Sequence, residues 1–369
     1  MNDTTDMLVF GFVVALRFLV PLWIPRFPLP VIIAALVIDG VDQTVFQTFT
    51  NLDLTNYQSY DKALDIYYLA IAYLATFRNW ENLFAFELSR FLYYYRLVGV
   101  VLFEALHLRA LLLFFPNTFE YFFIFYEAIR LRWRPDRMVP VVVLGAASAI
   151  WVFVKVPQEY WIHIAKLDVT DELRAHPVLI PILAVCIVAM VAAAHWIVTR
   201  RLPPADHAMR FQVADPFGED LYGSYRRTAG SRRLFDLVLL EKVVLVSLIC
   251  TIFSQILPDL RSTTLQLVIS VSFLIVLNTV ASELLARRGI GWQTALGEFV
   301  GMSLVNGGLA LAAWLLVRDS NSEQGINLGP TLFFLLLVTL LITLYDRYQP
   351  YYLIRAAIRQ GEIPPPRTT

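Results

Sequence analysis

Long apolar runs with few or no charges recur along the whole chain. A run of about 18 or more apolar residues can cross the roughly 30 Å hydrocarbon layer of a bilayer as a helix. Helices are expected there because lipid offers the backbone no hydrogen-bond partners. The pattern therefore predicts an all-α, polytopic transmembrane helical bundle of about eleven spans. We place the spans at residues 7–25, 29–50, 62–78, 91–114, 117–131, 138–156, 177–199, 234–256, 263–286, 296–317 and 329–347.

The basic residues of the connections predict an orientation. Arginines cluster in every second connection, and the intervening connections hold few basic residues. Connections on the cytoplasmic side carry an excess of Lys and Arg. The alternation holds at nearly every connection when eleven spans are counted. It predicts an N-terminus outside and a C-terminus in the cytoplasm.

The polar residues divide the chain into four parts. Residues 1–199 form an N-terminal block rich in intramembrane charge, and 200–233 form a basic cytoplasmic linker. Residues 234–347 form a more apolar C-terminal block, for which we expect a structural role. Residues 348–369 form a cytoplasmic tail, in which a short interfacial helix would turn Arg355 and Arg359 toward lipid headgroups.

Composition supports a membrane protein and excludes several other classes. Of 369 residues, 58% are hydrophobic and 16% are charged, whereas soluble domains carry about 25% charged residues. The formal net charge is zero, so no overall field favours nucleic acid, and the lipid bilayer is the expected partner. Cys186 and Cys250 lie inside apolar runs without metal spacing. The strong preference for Arg over Lys suggests a GC-rich genome, and we expect a prokaryotic plasma (inner) membrane protein.

No motif assigns the chain to a named family. The pair Asp39-Gly40 followed by Asp61-x-x-x-Asp65 shares letters with the CDP-alcohol phosphotransferases, but Leu36 replaces the first Asp of their motif. There is no P-loop, no dinucleotide-binding glycine pattern, no G-x-S-x-G and no zinc-protease motif. The sequence therefore identifies neither a cofactor nor a metal.

The second span carries the densest polar pattern. Asp39, Gln43 and Gln47 are spaced i, i+4, i+8, and Asp42 follows Asp39 by three residues. This spacing predicts one polar face. The functional interpretation is a seam that lines a cavity or binds a cation. The alternative is a set of packing hydrogen bonds to arginines of neighbouring helices.

The start of the third span adds two acids, Asp61 and Asp65. The second and third spans form a tight antiparallel hairpin, so these acids can meet the seam. Four carboxylates in the outer half of one hairpin could hold a hard cation through oxygen ligands. The alternative is structural: Asp61 caps the third helix and Asp65 pairs with an arginine.

The fourth span carries Arg96, Glu104 and His107, with Arg96 and His107 eleven residues apart and therefore predicted on one face. An arginine inside a span needs an anionic partner, and Asp39 and Asp42 are the expected candidates. In the functional alternative, Arg96 clamps a phosphate or another anion.

Two later segments also carry candidate groups. Asn117 with Glu120 fits a capping box at the start of the fifth segment, which at about 22 Å is short for a full span. After the sixth span, Glu159 and His163 are spaced i, i+4 in an aromatic, amphipathic stretch. This stretch is either a lid over the acidic hairpin or a plain interfacial helix.

Three classes of function remain. Intramembrane acids are typical of proton- or sodium-coupled transport, which favours a secondary transporter or permease with an ionisable pathway in spans two to four. Alternatively, the acids hold a divalent ion in an enzyme that acts on a lipid or lipid-linked phosphate at the outer leaflet. The third possibility is an accessory subunit of a membrane complex. A small ion or a lipid-linked molecule is the expected ligand.

Overall fold

The computed structural model describes residues 3–50, 57–165, 172–173, 175–214, 217, 237–256, 264–287, 294–317 and 328–362. Three parts of the expected organisation lie outside these ranges. They are the connection at 51–56, the basic linker from 218 to 233, and the tail from 363.

All regular structure in the described ranges is helical, which confirms the predicted fold class. Helical structure lies in every predicted span, but the fourth, 91–114, is wrong as a single helix: it begins earlier, at Leu83, and breaks at His107 into α4 and α5. The helices are α1 (Asp3–Leu19), α2 (Pro28–Phe49), α3 (Tyr57–Asn79), α4 (Leu83–Leu106), α5 (Ala110–Phe114), α6 (Thr118–Arg130), α7 (Pro140–Ile164), α8 (Leu179–Arg200), α9 (Leu237–Ile256), α10 (Thr264–Arg287), α11 (Ala295–Val317) and α12 (Leu328–Arg359).

Five helices among the described residues are long and apolar enough to cross a membrane. They lie in α1 with the turn that follows it, α2, α7, α9 and α12, and shorter apolar helices lie in α8, α10 and α11. These helices are those expected of an integral, multi-pass membrane protein. The number of crossings and the orientation stay predictions.

Helix α3 is the centre of the bundle. Every residue from 63 to 80 is buried, and α1, α2, α4, α9 and α12 pack around it. A helix that is buried on all sides need not be apolar on all sides, because neighbouring helices can supply hydrogen-bond partners. This explains why α3 holds several tyrosines and acids at the core of an otherwise apolar protein.

The C-terminal helices pack directly on this core and carry their own buried polar contacts. Glu241 of α9 accepts hydrogen bonds from Tyr73 Oη (2.6 Å) and Tyr345 Oη (3.1 Å) and pairs with Arg90. Lys242 pairs with Asp346 across 2.5 Å. These polar residues of α9 and α12 therefore connect the two helices to each other and to α3 and α4.

The prediction of a separate interfacial helix after the last span is wrong. Helix α12 continues without interruption through Pro350 to Arg359. Arg355 is buried and donates to the carbonyl oxygens of Phe77, across 2.8 Å, and Arg78. The last carbonyls of a helix lack intrahelical partners and carry partial negative charge, so they attract a guanidinium from a neighbouring helix. Arg359, by contrast, is exposed.

Candidate functional site

Arg17 is the only basic residue of α1, and its guanidinium lies against four carboxylates. Nη1 contacts Asp42 and reaches Asp61 Oδ1 at 3.3 Å, and Nη2 contacts Asp39 and reaches Asp65 Oδ1 at 3.1 Å. The planar, forked guanidinium suits several carboxylates at once. A second cation, the Lys62 ammonium, lies 2.9 Å from Asp61 and 3.3 Å from Asp65. We call these six residues the Arg17 cluster.

Two helices supply the acids by ordinary helical spacing. Asp39 and Asp42 follow each other by three residues on α2, and Asp61 and Asp65 by four on α3, so each pair projects from one face. Asp39 lies about 15 Å from the end of α2 by helical rise. Arg17 and Asp42 are buried between the helices, whereas Asp39 and Asp61 lie nearer the edge of the cluster.

In the part of the chain that the structure describes, the Arg17 cluster holds more carboxylates than cations. Arg17 and Lys62 supply two positive charges for four carboxylates. Carboxylate oxygens of Asp39, Asp61 and Asp65 also lie within 4.8 Å of one another, close enough to share one ion. Unneutralised charge is costly at membrane depth. The excess carboxylates therefore favour a proton or a metal cation among them.

The single polar face predicted for Asp39, Gln43 and Gln47 on α2 is wrong for the two glutamines. Gln43 and Gln47 are exposed, whereas Asp42 and Phe46 are buried. Each four-residue step turns about 40° past a full helical turn, so a strict i, i+4, i+8 series leaves the buried face. Asp39 remains at the edge of that face, with 21% of its side chain exposed.

The capping role predicted for Asp61 is also wrong. Helix α3 begins at Tyr57, one turn earlier, so Asp61 lies inside the helix. The predicted pairing of Asp65 with an arginine is confirmed, and the arginine is Arg17.

Arg96 does not pair with Asp39 or Asp42, because Arg17 contacts both of these acids. Instead, Arg96 donates to the Phe115 carbonyl oxygen at 3.0 Å, and its Nη1 lies 3.9 Å from Glu159 Oε1. Arg96 therefore belongs to a second buried group of residues, on α4, α6 and α7. We call this group the Glu159 cluster, and it consists of Arg96, Asn117, Glu120, Lys155, Glu159 and His163.

The stretch that contains Glu159 and His163 is neither a lid nor a separate surface helix. It continues α7, and two π-helical turns, Ile150–Lys155 and Tyr160–Ile164, lie within it. An ideal α-helix would turn about 200° over five four-residue steps. The wider π turns keep such residues on one inward face. That face holds Val143, Ala147, Trp151, Lys155, Glu159 and His163.

The carboxylate of Glu159 is the common partner in this cluster. It lies 3.0 Å from His163 Nε2 and 3.6 Å from Lys155 Nζ. It also accepts the backbone N–H of Asn117 at 3.1 Å. An acid at this position is stabilised by the positive end of the α6 dipole.

The start of α6 is confirmed, but the capping box predicted there is wrong. Asn117 precedes α6, and its side chain donates to Glu120 Oε2 at 2.9 Å instead of accepting from the helix backbone. Glu120 Oε1 accepts from Tyr68 Oη of α3 at 2.5 Å. A chain of buried hydrogen bonds thus links the Glu159 cluster to α3, and Tyr68 lies three residues from Asp65.

The predicted common face of Arg96 and His107 does not form. Helix α4 ends at Leu106, and His107 adopts a left-handed conformation (φ 53°) and is exposed. Glu104 is buried one turn earlier. The chain then folds back, and Phe115 packs against Gly99 so closely that an added Cβ there would lie 2.2 Å from Phe115 Cβ.

An apolar groove of about 430 Å³ lies between α1 and α2. Its walls come from Leu8, Phe12, Leu16, Val41 and Val45, and it borders on Asp42. The groove is thus lined almost entirely by apolar side chains and lies next to the Arg17 cluster.

Three basic residues of these clusters were not predicted as site residues: Arg17, Lys62 and Lys155. A signal for Arg17 was available, because a single arginine in an otherwise uncharged apolar run requires buried anions. The four-residue period of α7 was also present in the sequence, but it is not an α-helical period.

No protein-family model, curated protein or solved structure matches this chain. What the protein does is therefore inferred from its own residues.

Proposed function

We propose that the protein is a secondary transporter, and that the Arg17 cluster binds the proton or cation whose gradient drives transport. The observation that carries this proposal is the excess of carboxylates over cations at a buried position in the helical bundle. Reversible occupancy by a cation is how such a charge imbalance couples to transport.

Accessibility within the cluster supports this role. The side chains of Arg17 and Asp42 are 2% and 0% exposed, whereas those of Asp39 and Asp61 are 21% and 18% exposed. Arg17 and Asp42 are thus shielded from solvent. Asp39 and Asp61 are partly exposed, so an ion can enter and leave on their side of the cluster.

The position of the cluster supports it as well. Its acids lie on α2 and the central helix α3, so a change in their charge acts on the helix around which the bundle is packed. The hydrogen bonds through Tyr68 and Glu120 extend this influence to α6 and α7. Ion binding therefore has a physical route to a rearrangement of helices, as alternating access requires.

A second candidate is an enzyme that acts on a lipid-linked phosphate. It is favoured by the apolar groove between α1 and α2, which would hold an acyl chain beside Asp42. The three carboxylates of Asp39, Asp61 and Asp65 would then bind a divalent ion that orients the phosphate.

The two candidates differ in the ion that they require. Protein reconstituted on a solid-supported membrane should give a transient current after a jump in Na⁺ or H⁺ concentration, since an ion moves into a site inside the membrane. Asp39→Asn should abolish the current, and Asp136→Asn, which changes an exposed acid, should leave it unchanged.

Other outcomes would reject the transporter. A response to Mg²⁺ or Mn²⁺ alone, with hydrolysis of a lipid-linked phosphate, would favour the enzyme. Folded protein that responds to no cation would make the cluster structural.

A further inference from the structure

A strongly basic surface lies where two connections are joined by backbone hydrogen bonds. Residues 203–210 run beside 131–137, and the backbone N–H groups of Asp206 and Arg210 donate to the carbonyl oxygens of Arg132 and Leu131 at 2.9 and 3.1 Å. Trp133 Nε1 donates to the Pro203 carbonyl oxygen at 3.0 Å. The first part of the basic linker is therefore a fixed part of the protein surface.

The same segment is also tied to the turn between α1 and α2. The N–H of Val213 donates to the carbonyl oxygen of Arg26 at 2.9 Å, and Arg26 is exposed. Three connections that are distant in sequence thus contribute to one surface. We call it the basic surface, and its arginines are Arg26, Arg132, Arg134, Arg137, Arg200, Arg201 and Arg210.

The charge of the basic surface is not neutralised within these segments. Residues 131–137 and 200–213 contain two acids, Asp136 and Asp206. Asp206 lies 3.3 Å from Arg137, whose side chain is still 63% exposed. The other arginines of the surface have exposed side chains.

Tryptophans lie beside the arginines of the basic surface. Trp133 lies between the arginines of one connection, and the Arg201 guanidinium lies 5.1 Å from the ring centre of Trp196. Tryptophan concentrates where headgroups meet the hydrocarbon layer. We therefore expect the exposed arginines beside these tryptophans to reach lipid phosphates.

We propose that the basic surface binds anionic phospholipid headgroups of the adjacent leaflet. Charge complementarity favours this ligand, because exposed guanidinium groups can form bidentate contacts with phosphate. The surface also lies at the ends of the apolar helices α7 and α8, next to where lipid headgroups are expected. The proposal is independent of the transported ion. The lipid is recognised by a fixed array of arginines rather than by scattered loop charges.

The test is a lipid titration of the protein in neutral detergent. Short-chain phosphatidylglycerol should raise the Tm, phosphatidylcholine should not, and high salt should weaken the effect. Arg132→Gln with Arg134→Gln and Arg210→Gln should lower the apparent affinity for phosphatidylglycerol about 100-fold, at about fivefold per arginine. Arg359→Gln removes an exposed arginine outside this surface and should leave the affinity unchanged.

Each contrary outcome is distinct. An equal Tm shift with inorganic phosphate would identify a free anion, not a lipid, as the occupant. If Arg359→Gln lost as much affinity for phosphatidylglycerol, binding would depend on net charge and not on the basic surface. Should the triple variant fail to fold, Arg132→Gln alone and Arg132→Lys decide the question, since the first must weaken binding more than the second.

Discussion

Removal of Arg17 should be among the most destabilising single changes in the protein. In Arg17→Gln, four carboxylates are left with Lys62 as their only cation within the cluster. Loss of one partner from a buried ion pair costs about 3–5 kcal/mol. Since native proteins are stable by about 5–15 kcal/mol, this is a large part of the total.

The cost comes from the acids that remain, which predicts a rescue. Arg17→Gln combined with Asp39→Asn and Asp42→Asn removes two of the four carboxylates that the guanidinium contacts. The triple variant should therefore be more stable than Arg17→Gln alone. Coupling between residues in one network is about 0.5–3 kcal/mol. Arg17→Lys keeps the charge but not the forked geometry, and it should be intermediate.

The assay is unfolding in mixed detergent micelles, followed by tryptophan fluorescence and by retention on a sizing column. Arg359→Gln is the control, because exposed substitutions usually change stability by less than about 0.5 kcal/mol. If Arg17→Gln were as stable as this control, or if the two asparagines destabilised it further, Arg17 would not be the counter-ion of these acids.

Two further changes test the packing. Gly99→Ala places a methyl group against Phe115 and should cost about 1–3 kcal/mol, whereas Gly145→Ala meets no atom within 4 Å and should be neutral or stabilising; equal melting temperatures would refute the close approach. Arg355→Gln removes the donors to the last carbonyls of α3 and should cost about 1–3 kcal/mol more than Arg359→Gln, and an equal cost would mean that α12 is not anchored there.

The helices were predictable because hydrophobic length decides them. Every predicted span contains a helix, since long apolar runs leave the chain few alternatives in lipid, although the fourth, 91–114, is divided between α4 and α5. The shortness of the fifth segment was also correct: α6 has 13 residues. Its ion pair between Glu127 and Arg130, across 2.5 Å, follows from i, i+3 spacing on a single helix.

The partners of the buried charges could not be predicted in the same way. Asp39 and Asp42 require a cation, but whether Arg17 or Arg96 supplies it depends on which helix packs against α2. Hydrophobic patterns do not specify that choice. The local sequence also gives little warning of the left-handed His107, where neither glycine nor proline marks the end of α4.

The inward face of α7 could not be predicted from periodicity, because of its π turns. Periodicity arguments assume 3.6 residues per turn, and on that assumption Lys155, Glu159 and His163 leave the face that holds Val143. The sequence correctly grouped Glu159 with His163. It could not place them against Arg96 and the start of α6.

The most direct test of a cation-binding Arg17 cluster is infrared difference spectroscopy on protein with isotope-labelled aspartate. At neutral pH without metal cations, the wild type should show the carbonyl band of a protonated aspartic acid, because the excess carboxylates must be neutralised. A coupling metal cation should remove that band when it is added, whereas a coupling proton should be lost, and the band with it, at high pH; Asp39→Asn should reduce the band in either case. A wild-type spectrum with only ionised aspartates, unchanged by any cation, would contradict the account.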